Sequence, residues 1–185
     1  MTAAITVEGI GKLEAVPNGD AVFYTDLLGI SGTVREAGRY SLRWPGWCKF
    51  WAPLKRFGFL SDEPVAGLPG RISPKDFLVA HMGPQLAYAA DEKDLAVMVN
   101  EFSGLKDGRK KTLRTSLVIE RDLETGIFAM AKGVGFTASI VADMLASNVI
   151  AAKGLLNPAV DVPYEPFMRA LSRRGIEVKT VESVA

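Results

Sequence analysis

Arg39 and Arg43 stand four residues apart in a stretch that reads as extended, Thr33–Trp44. On a strand that spacing puts both guanidinium groups on one face, and Arg35 prolongs the row. Guanidinium groups grip carboxylates through two parallel hydrogen bonds, which an ammonium group does not do. The same row also suits an exposed strand face paired to acids elsewhere in the chain. A second polar constellation is Pro17-Asn18-Gly19-Asp20. A turn that opens a helix leaves backbone N–H groups free beside Asn and Asp side chains, and such groups can hold a polar ligand. Its ordinary reading is a turn with Asp20 as the cap of the following helix.

Other chemistry finds less support. Cys48 is the single cysteine and His81 the single histidine, so neither has a second thiol or imidazole to form a metal site or a His-centred triad. Gly133-Val134-Gly135-Phe136-Thr137-Ala138 has the form G-x-G-x-x-A, and glycines leading into a helix N-terminus can cradle a pyrophosphate. The residues before it, Ile127–Lys132, include Ala129, Met130 and Ala131, which favour helix over a buried strand. Close helix packing at the glycines is the better reading. Gly9-Ile10-Gly11 is weaker still, because no helix follows. The sequence therefore predicts no nucleotide-binding domain and no bound cofactor or metal in this chain.

These residues must be positioned by a small set of elements. Ile5–Glu8 and Lys12–Val16 read as short strands broken by Gly9-Ile10-Gly11. A helix over Ala21–Leu28 closes at Gly29. After Pro45-Gly46, apolar residues at 47, 50, 51, 54 and 57 form a helical stripe to Gly58. Trp44, Trp47 and Trp51 read first as core residues, with an aromatic wall beside a substrate as the second reading. Residues 61–70 form the longest loop, and Ser73-Pro74-Lys75-Asp76 starts a helix with Ser at the cap and Pro in the first turn. Asp94–Phe102 alternates with Leu95, Val97 and Val99 on one face, and Thr112–Glu120 with Leu113, Thr115, Leu117 and Ile119. Lys106-Asp107-Gly108-Arg109 joins the two as a hairpin whose basic tip is solvated. A helical segment, Ile127–Ser147, interrupted at Gly133-Val134-Gly135, is followed by a helix over Glu165–Arg174 and a strand over Gly175–Val181. One long hairpin with several helices and no regular βαβ alternation predicts an α+β fold, a mixed, largely antiparallel sheet with helices packed on one face.

The balance of the chain fits that outline and excludes several classes. It has 185 residues, with 22 Lys+Arg against 21 Asp+Glu, 48% apolar and 23% charged residues, the make-up of a globular domain rather than a disordered one. A net charge of +1 argues against a general nucleic-acid binder. No apolar run in the sequence approaches the roughly 20 residues that span a bilayer, and the N-terminus lacks a signal-peptide pattern. The expectation is one soluble cytoplasmic domain over residues 1–185 that binds neither nucleic acid nor membrane.

Several segments together resemble a known family. Val7–Asp20, ending in Pro17-Asn18-Gly19-Asp20, is similar to the saccharopine dehydrogenase segment in which a strand runs into a Pro-Asn-Arg-Asp-Ser turn. Ser41-Leu42-Arg43-Trp44-Pro45-Gly46-Trp47-Cys48 resembles that family's Thr-Leu-Arg-Tyr-Pro-Gly-Trp/His-Cys signature, which also opens a helix. Asp91-Glu92-Lys93-Asp94 before the hairpin and Glu124-Thr125-Gly126-Ile127 leading to Gly135-Phe136 follow in the family's order, so the resemblance runs from Glu8 to about Pro158. It implies the carboxyl-terminal, substrate-binding and dimerisation half of a saccharopine reductase-like oxidoreductase of lysine and amino-acid metabolism. Such enzymes transfer hydride reversibly at a C–N bond, with NAD or NADP held by an amino-terminal Rossmann domain. The resemblance thus implies three partners: an amino-acid-derived substrate, that Rossmann domain, and a second copy in a homodimer. This chain alone would be inactive and would bind no NAD(P)H. The family turn contacts a substrate carboxylate, so Asn18, Gly19 and Asp20 inherit a substrate role, with Arg39 and Arg43 as anion anchors. Gly19 stands where the saccharopine enzymes usually carry Arg, which removes a bidentate contact. A related substrate, or Arg39 or Arg43 supplying the contact instead, are both open, as is a non-catalytic dimerisation or small-molecule-binding module that keeps the fold.

Overall fold

The computed structural model describes residues 3–184, which divide into two compact units, 3–87 and 88–184. The class is α+β, and its strands form two separate three-stranded sheets, each antiparallel throughout.

In the first unit β1 (Ala3–Val7) and β2 (Gly11–Pro17) form a hairpin, and β3 (Tyr40–Arg43) pairs with the far side of β2. Alternation sends Val7, Leu13 and Ala15 into the interior, where they are the buried apolar side chains of this unit. α1 (Val22–Leu27) begins where the Asp20 carboxylate accepts the Val22 N–H at 2.8 Å, as the turn signal predicts. It ends at Gly29, whose φ of +67° lets the Gly29 and Ile30 N–H groups turn back onto the carbonyls of Asp26 and Thr25. β3 is much shorter than the expected Thr33–Trp44 strand. Thr33 and Val34 fold back onto the Ile30 carbonyl, and the chain from there to Arg39 is irregular rather than strand. α2 (Trp47–Arg56) and α3 (Pro74–Met82) follow, with the Ser73 hydroxyl capping α3 by accepting the Asp76 N–H at 3.1 Å. α1, α2 and α3 contain no buried residue. The tryptophans correct the core reading: Trp44 is 57% exposed, Trp47 is also exposed, and only Trp51 is half-buried.

The second unit is built on β4 (Leu95–Lys106) and β5 (Arg109–Glu120), joined at Asp107-Gly108 with φ of 54° and 72°. Two successive positive φ values are what a two-residue hairpin turn needs to match strand twist. β6 (Lys179–Val184) adds to the other edge of β5, later than the expected Gly175–Val181. The register places Ala96 opposite Ile119 and Met98 opposite Leu117 on one face, whereas Leu95, Val97 and Val99 lie on the other with Glu120, Val118 and Ser116. The two apolar stripes legible in the sequence therefore face opposite ways. α4 (Ala129–Ala146) lies on the Ile119 face and α6 (Tyr164–Ser172) packs on α4, with the short α5 (Pro158–Asp161) before it. Ile119, Ala129, Ile140, Met144, Ile150, Leu171 and Ile176 form the core. α4 runs through Gly133-Val134-Gly135 without the expected break. A Cβ at Gly133 would lie 3.5 Å from the Ile119 Cδ1, so this glycine sits where helix and sheet are in contact. α4 is also the one helix among the described residues long and apolar enough to cross a membrane by length and composition.

Candidate functional site

The ladder between β2 and β3 positions the predicted residues. Pro17 pairs with Tyr40, and the Asn18 N–H donates to the Arg39 carbonyl at 2.9 Å, so the pairing extends one rung beyond the strands. Asn18 and Arg39 are thus opposite one another by register. Alternation puts their side chains on the same face as Glu14 and Arg43, the face away from Leu13 and Ala15. Gly19 follows with φ +74°, a left-handed conformation that favours glycine. The Arg39 Nη1 lies 3.6 Å from where a Cβ on Gly19 would be. A guanidinium delivered from the neighbouring segment therefore reaches the turn at the position that has no side chain of its own. Among the described residues Arg39 has no carboxylate partner and the Asn18 carboxamide no hydrogen-bond partner. The Asp20 carboxylate is committed to the start of α1.

Arg43 is brought to the same face but not to the turn. Four residues of strand span about 13 Å. Its guanidinium lies 5.4 Å from the Trp47 ring centroid, and its Nη1 donates to the Leu42 carbonyl at 2.8 Å. Arg35 leaves the expected row altogether. It lines a shallow depression of about 190 Å³ with Val22, Thr25 and Val34, because the strand does not reach back to it.

Sequence reasoning missed Glu14. Its two carboxylate oxygens accept the Gly46 N–H at 2.8 Å and the Cys48 N–H at 3.0 Å, which caps α2 from β2, 32 and 34 residues away. The backbone donors of Gly46 and then Cys48 hold its pKa below the ordinary carboxylate value. The Cys48 thiol is pushed up by burial and then by the Glu14 carboxylate, so less of it is thiolate at neutral pH. No local pattern marks Glu14, since both partners come from a distant segment. Its action fixes the start of α2 and, through it, the Trp44–Trp47 bend beside Arg43. Trp47 and Trp51, with ring centroids 6.1 Å apart, and Phe50, 54% exposed, form an open aromatic wall on this helix.

His81 stacks on Phe77 with ring centroids 5.6 Å apart, and no group of three or more His, Cys, Asp or Glu able to hold a metal occurs among the described residues. Gly133–Ala138 lies inside α4, where helical hydrogen bonding occupies its N–H groups, so it is not a strand–turn–helix cradle for a pyrophosphate.

Two units, each with a three-stranded antiparallel sheet and helices, make this an α+β protein, with a turn and the Arg39 guanidinium at one end of the first sheet. The match to known proteins gives the family: residues 1–176 match the saccharopine dehydrogenase C-terminal domain, and the chain belongs to that family. It is 33% identical over 129 residues to the mitochondrial alpha-aminoadipic semialdehyde synthase of Mus musculus, covering 69% of this chain and 13% of that protein. It is 28% identical over 127 residues to the NADP(+)-dependent, L-glutamate-forming saccharopine dehydrogenase of Schizosaccharomyces pombe, and 29% over 129 residues to that of Saccharomyces cerevisiae. These alignments cover 68% of this chain in each case and 27% and 28% of the yeast proteins. The chain thus spans about a quarter or less of the curated relatives it matches.

Proposed function

We propose that this chain is the substrate-binding and dimerisation half of an NAD(P)-dependent oxidoreductase of the saccharopine dehydrogenase type, acting on a C–N bond of an amino-acid-derived substrate. Its family membership and the names of its relatives support the reaction class. One observation carries the residue-level reading: Arg39, free of any acid among the described residues, reaches over Gly19 beside the unpartnered Asn18 carboxamide. A guanidinium and a carboxamide side by side fit one carboxylate, the first through charge-assisted hydrogen bonds and the second through its amide N–H.

In this reading Arg39 and Asn18 hold a substrate carboxylate, Gly19 keeps the turn open for it, and Asp20 anchors the turn to α1. Arg43 and the aromatic wall of α2 line the approach. The hydride chemistry is supplied by NAD(P) on a Rossmann domain outside these residues, and this chain alone neither binds the nucleotide nor turns over. Its own share is to orient the carbon–nitrogen bond and keep water away from it. Gly19, in the place of the usual family arginine, favours a second reading in which the fold is kept as a binding and dimerisation module without turnover.

A titration of ¹⁵N-labelled protein with L-glutamate, followed by NMR, tests the site. Shifts concentrated at Asn18, Gly19, Asp20 and Arg39 are expected. Shifts confined to other residues, or none at millimolar ligand, would overturn the assignment.

A further inference from the structure

Two glycines stand just past the last rung between β2 and β3, the hydrogen bond from the Asn18 N–H to the Arg39 carbonyl. Gly19 follows Asn18, and Gly38 precedes Arg39. At each, a side chain from the 39–40 segment comes to where a Cβ would be. At Gly19 the φ of +74° by itself favours glycine, and the arriving group is the Arg39 guanidinium. Gly38 has no such backbone requirement, since its φ is not positive. A Cβ there would instead stand 2.7 Å from the Tyr40 Cε2, 2.8 Å from its Oη and 3.1 Å from its Cζ. All three lie inside the roughly 3.5–4.0 Å at which carbon atoms touch. The Tyr40 ring thus occupies space that exists only because residue 38 has no side chain. Alternation starts this side chain on the inner face of the sheet, opposite Pro17 and on the face of Leu42 and Ala15. The ring does not pack away there. It folds back along the chain to Gly38, leaving Tyr40 49% exposed, and its hydroxyl has no hydrogen-bond partner among the described residues.

We propose that Tyr40 is a further substrate-contacting residue of the turn, its hydroxyl donating a hydrogen bond to the carboxylate held by Arg39 and Asn18, with Gly38 as the positioning residue that admits it. The inference rests on the reading of this turn as a carboxylate site and adds a donor to it. Arg39 comes to the end of the ladder from the outer face of the sheet, and Tyr40 from the inner face. A carboxylate at that end therefore meets a donor on either side. An ionised carboxyl group offers about four lone-pair positions, and a guanidinium fork with one carboxamide N–H leaves one of them open. A neutral phenol O–H fills it without adding a second cation beside Arg39. A tyrosine kept for its ring alone would bury that ring and would need no glycine two residues before it.

Calorimetric titration of the full chain with L-glutamate tests this, with Tyr40→Phe, Gly38→Ala and the double variant. Tyr40→Phe removes one oxygen and keeps the ring, so it is expected to weaken binding about 5- to 10-fold and to leave the melting temperature unchanged. Gly38→Ala keeps the hydroxyl but drives the ring from its place, and a similar loss is expected. Since both act on one contact, the two losses should not add in the double variant. ¹³C labelling at the tyrosine Cζ gives a second readout. Of the four tyrosine signals, the one absent from Tyr40→Phe should move when L-glutamate is added. Equal binding by the unaltered chain and Tyr40→Phe would overturn the Tyr40 assignment and leave the Arg39 site standing. A lower melting temperature with unchanged affinity would show that the ring only covers Gly38, and would overturn it too. No binding by the unaltered chain at millimolar L-glutamate would overturn the site and this contact together.

Discussion

The two units solve the same problem, how to cover one face of a three-stranded sheet, to very different degrees. The second lays α4 on β4 and β5 and packs α6 against α4, closing seven buried apolar side chains into one cluster. The first buries Val7, Leu13 and Ala15 and leaves Phe50, Phe57 and Trp44 more than half exposed, with no residue of α1, α2 or α3 in an interior. Two compact proteins of half this mass would together expose about 10,400 Å², and the chain exposes 13849 Å². The candidate site belongs to the thinly packed unit, and the unit with the self-sufficient core contributes none of its residues. Close packing and the candidate site residues are thus divided between the two.

The comparison can be broken most directly through the cores. Ile140, 1% exposed at the centre of the second core, is expected to cost about 3–4 kcal/mol on Ile140→Ala, and Leu13→Ala in the first unit about 2–3 kcal/mol. Hydrogen exchange read residue by residue separates the two. Ile140→Ala should speed exchange through β4, β5 and α4, and Leu13→Ala through β1–β3. Equal acceleration of both units by either change would show that the contrast in packing is not a contrast in stability.

A smaller effect is expected from Glu14, which ties α2 to the first sheet. Its carboxyl is held below the ordinary value by the Gly46 and Cys48 N–H groups, so its contribution is present above the unfolded-state pKa and is lost as pH falls through the folded one. The melting temperature of Glu14→Gln should therefore lie below that of the unaltered protein at neutral pH, and the two curves should converge below about pH 4.5. A difference that persists unchanged in acid would mean that the charge of Glu14 has no part in capping α2.

Much of this was legible in the sequence, and the failures have physical causes. The β4–β5 hairpin rests on local alternation and an Asp-Gly turn, and the Ser73 cap and Gly29 stop are equally local. The α+β class followed from these. β3 is shorter than composition predicts, because residues 33–39 are strand-like in type and only the turn onto the Ile30 carbonyl removes them from the sheet. Periodicity predicts a core around the tryptophans that this unit does not have, since it shows which side of a helix is apolar but not whether anything covers it. Residue types alone mark Asn18, Gly19 and Asp20 as a turn, and Arg39 as a cation on an extended segment. That Arg39 lies opposite Asn18 is a matter of register between segments 21 residues apart, and Glu14 reached its partners the same way.

The central claim is that Arg39, rather than Arg43, is the anion contact of this turn. Calorimetric titration of L-glutamate into the unaltered protein, Arg39→Ala and Arg43→Ala tests it most directly. The account predicts that Arg39→Ala weakens binding by about 10-fold or more, through loss of a charge-assisted hydrogen-bonded pair. Arg43→Ala should change it by less than about 3-fold, because that guanidinium is held against Trp47 and the Leu42 carbonyl. Equal losses in the two variants, or an Arg39→Ala protein that binds as the unaltered one does, would contradict it.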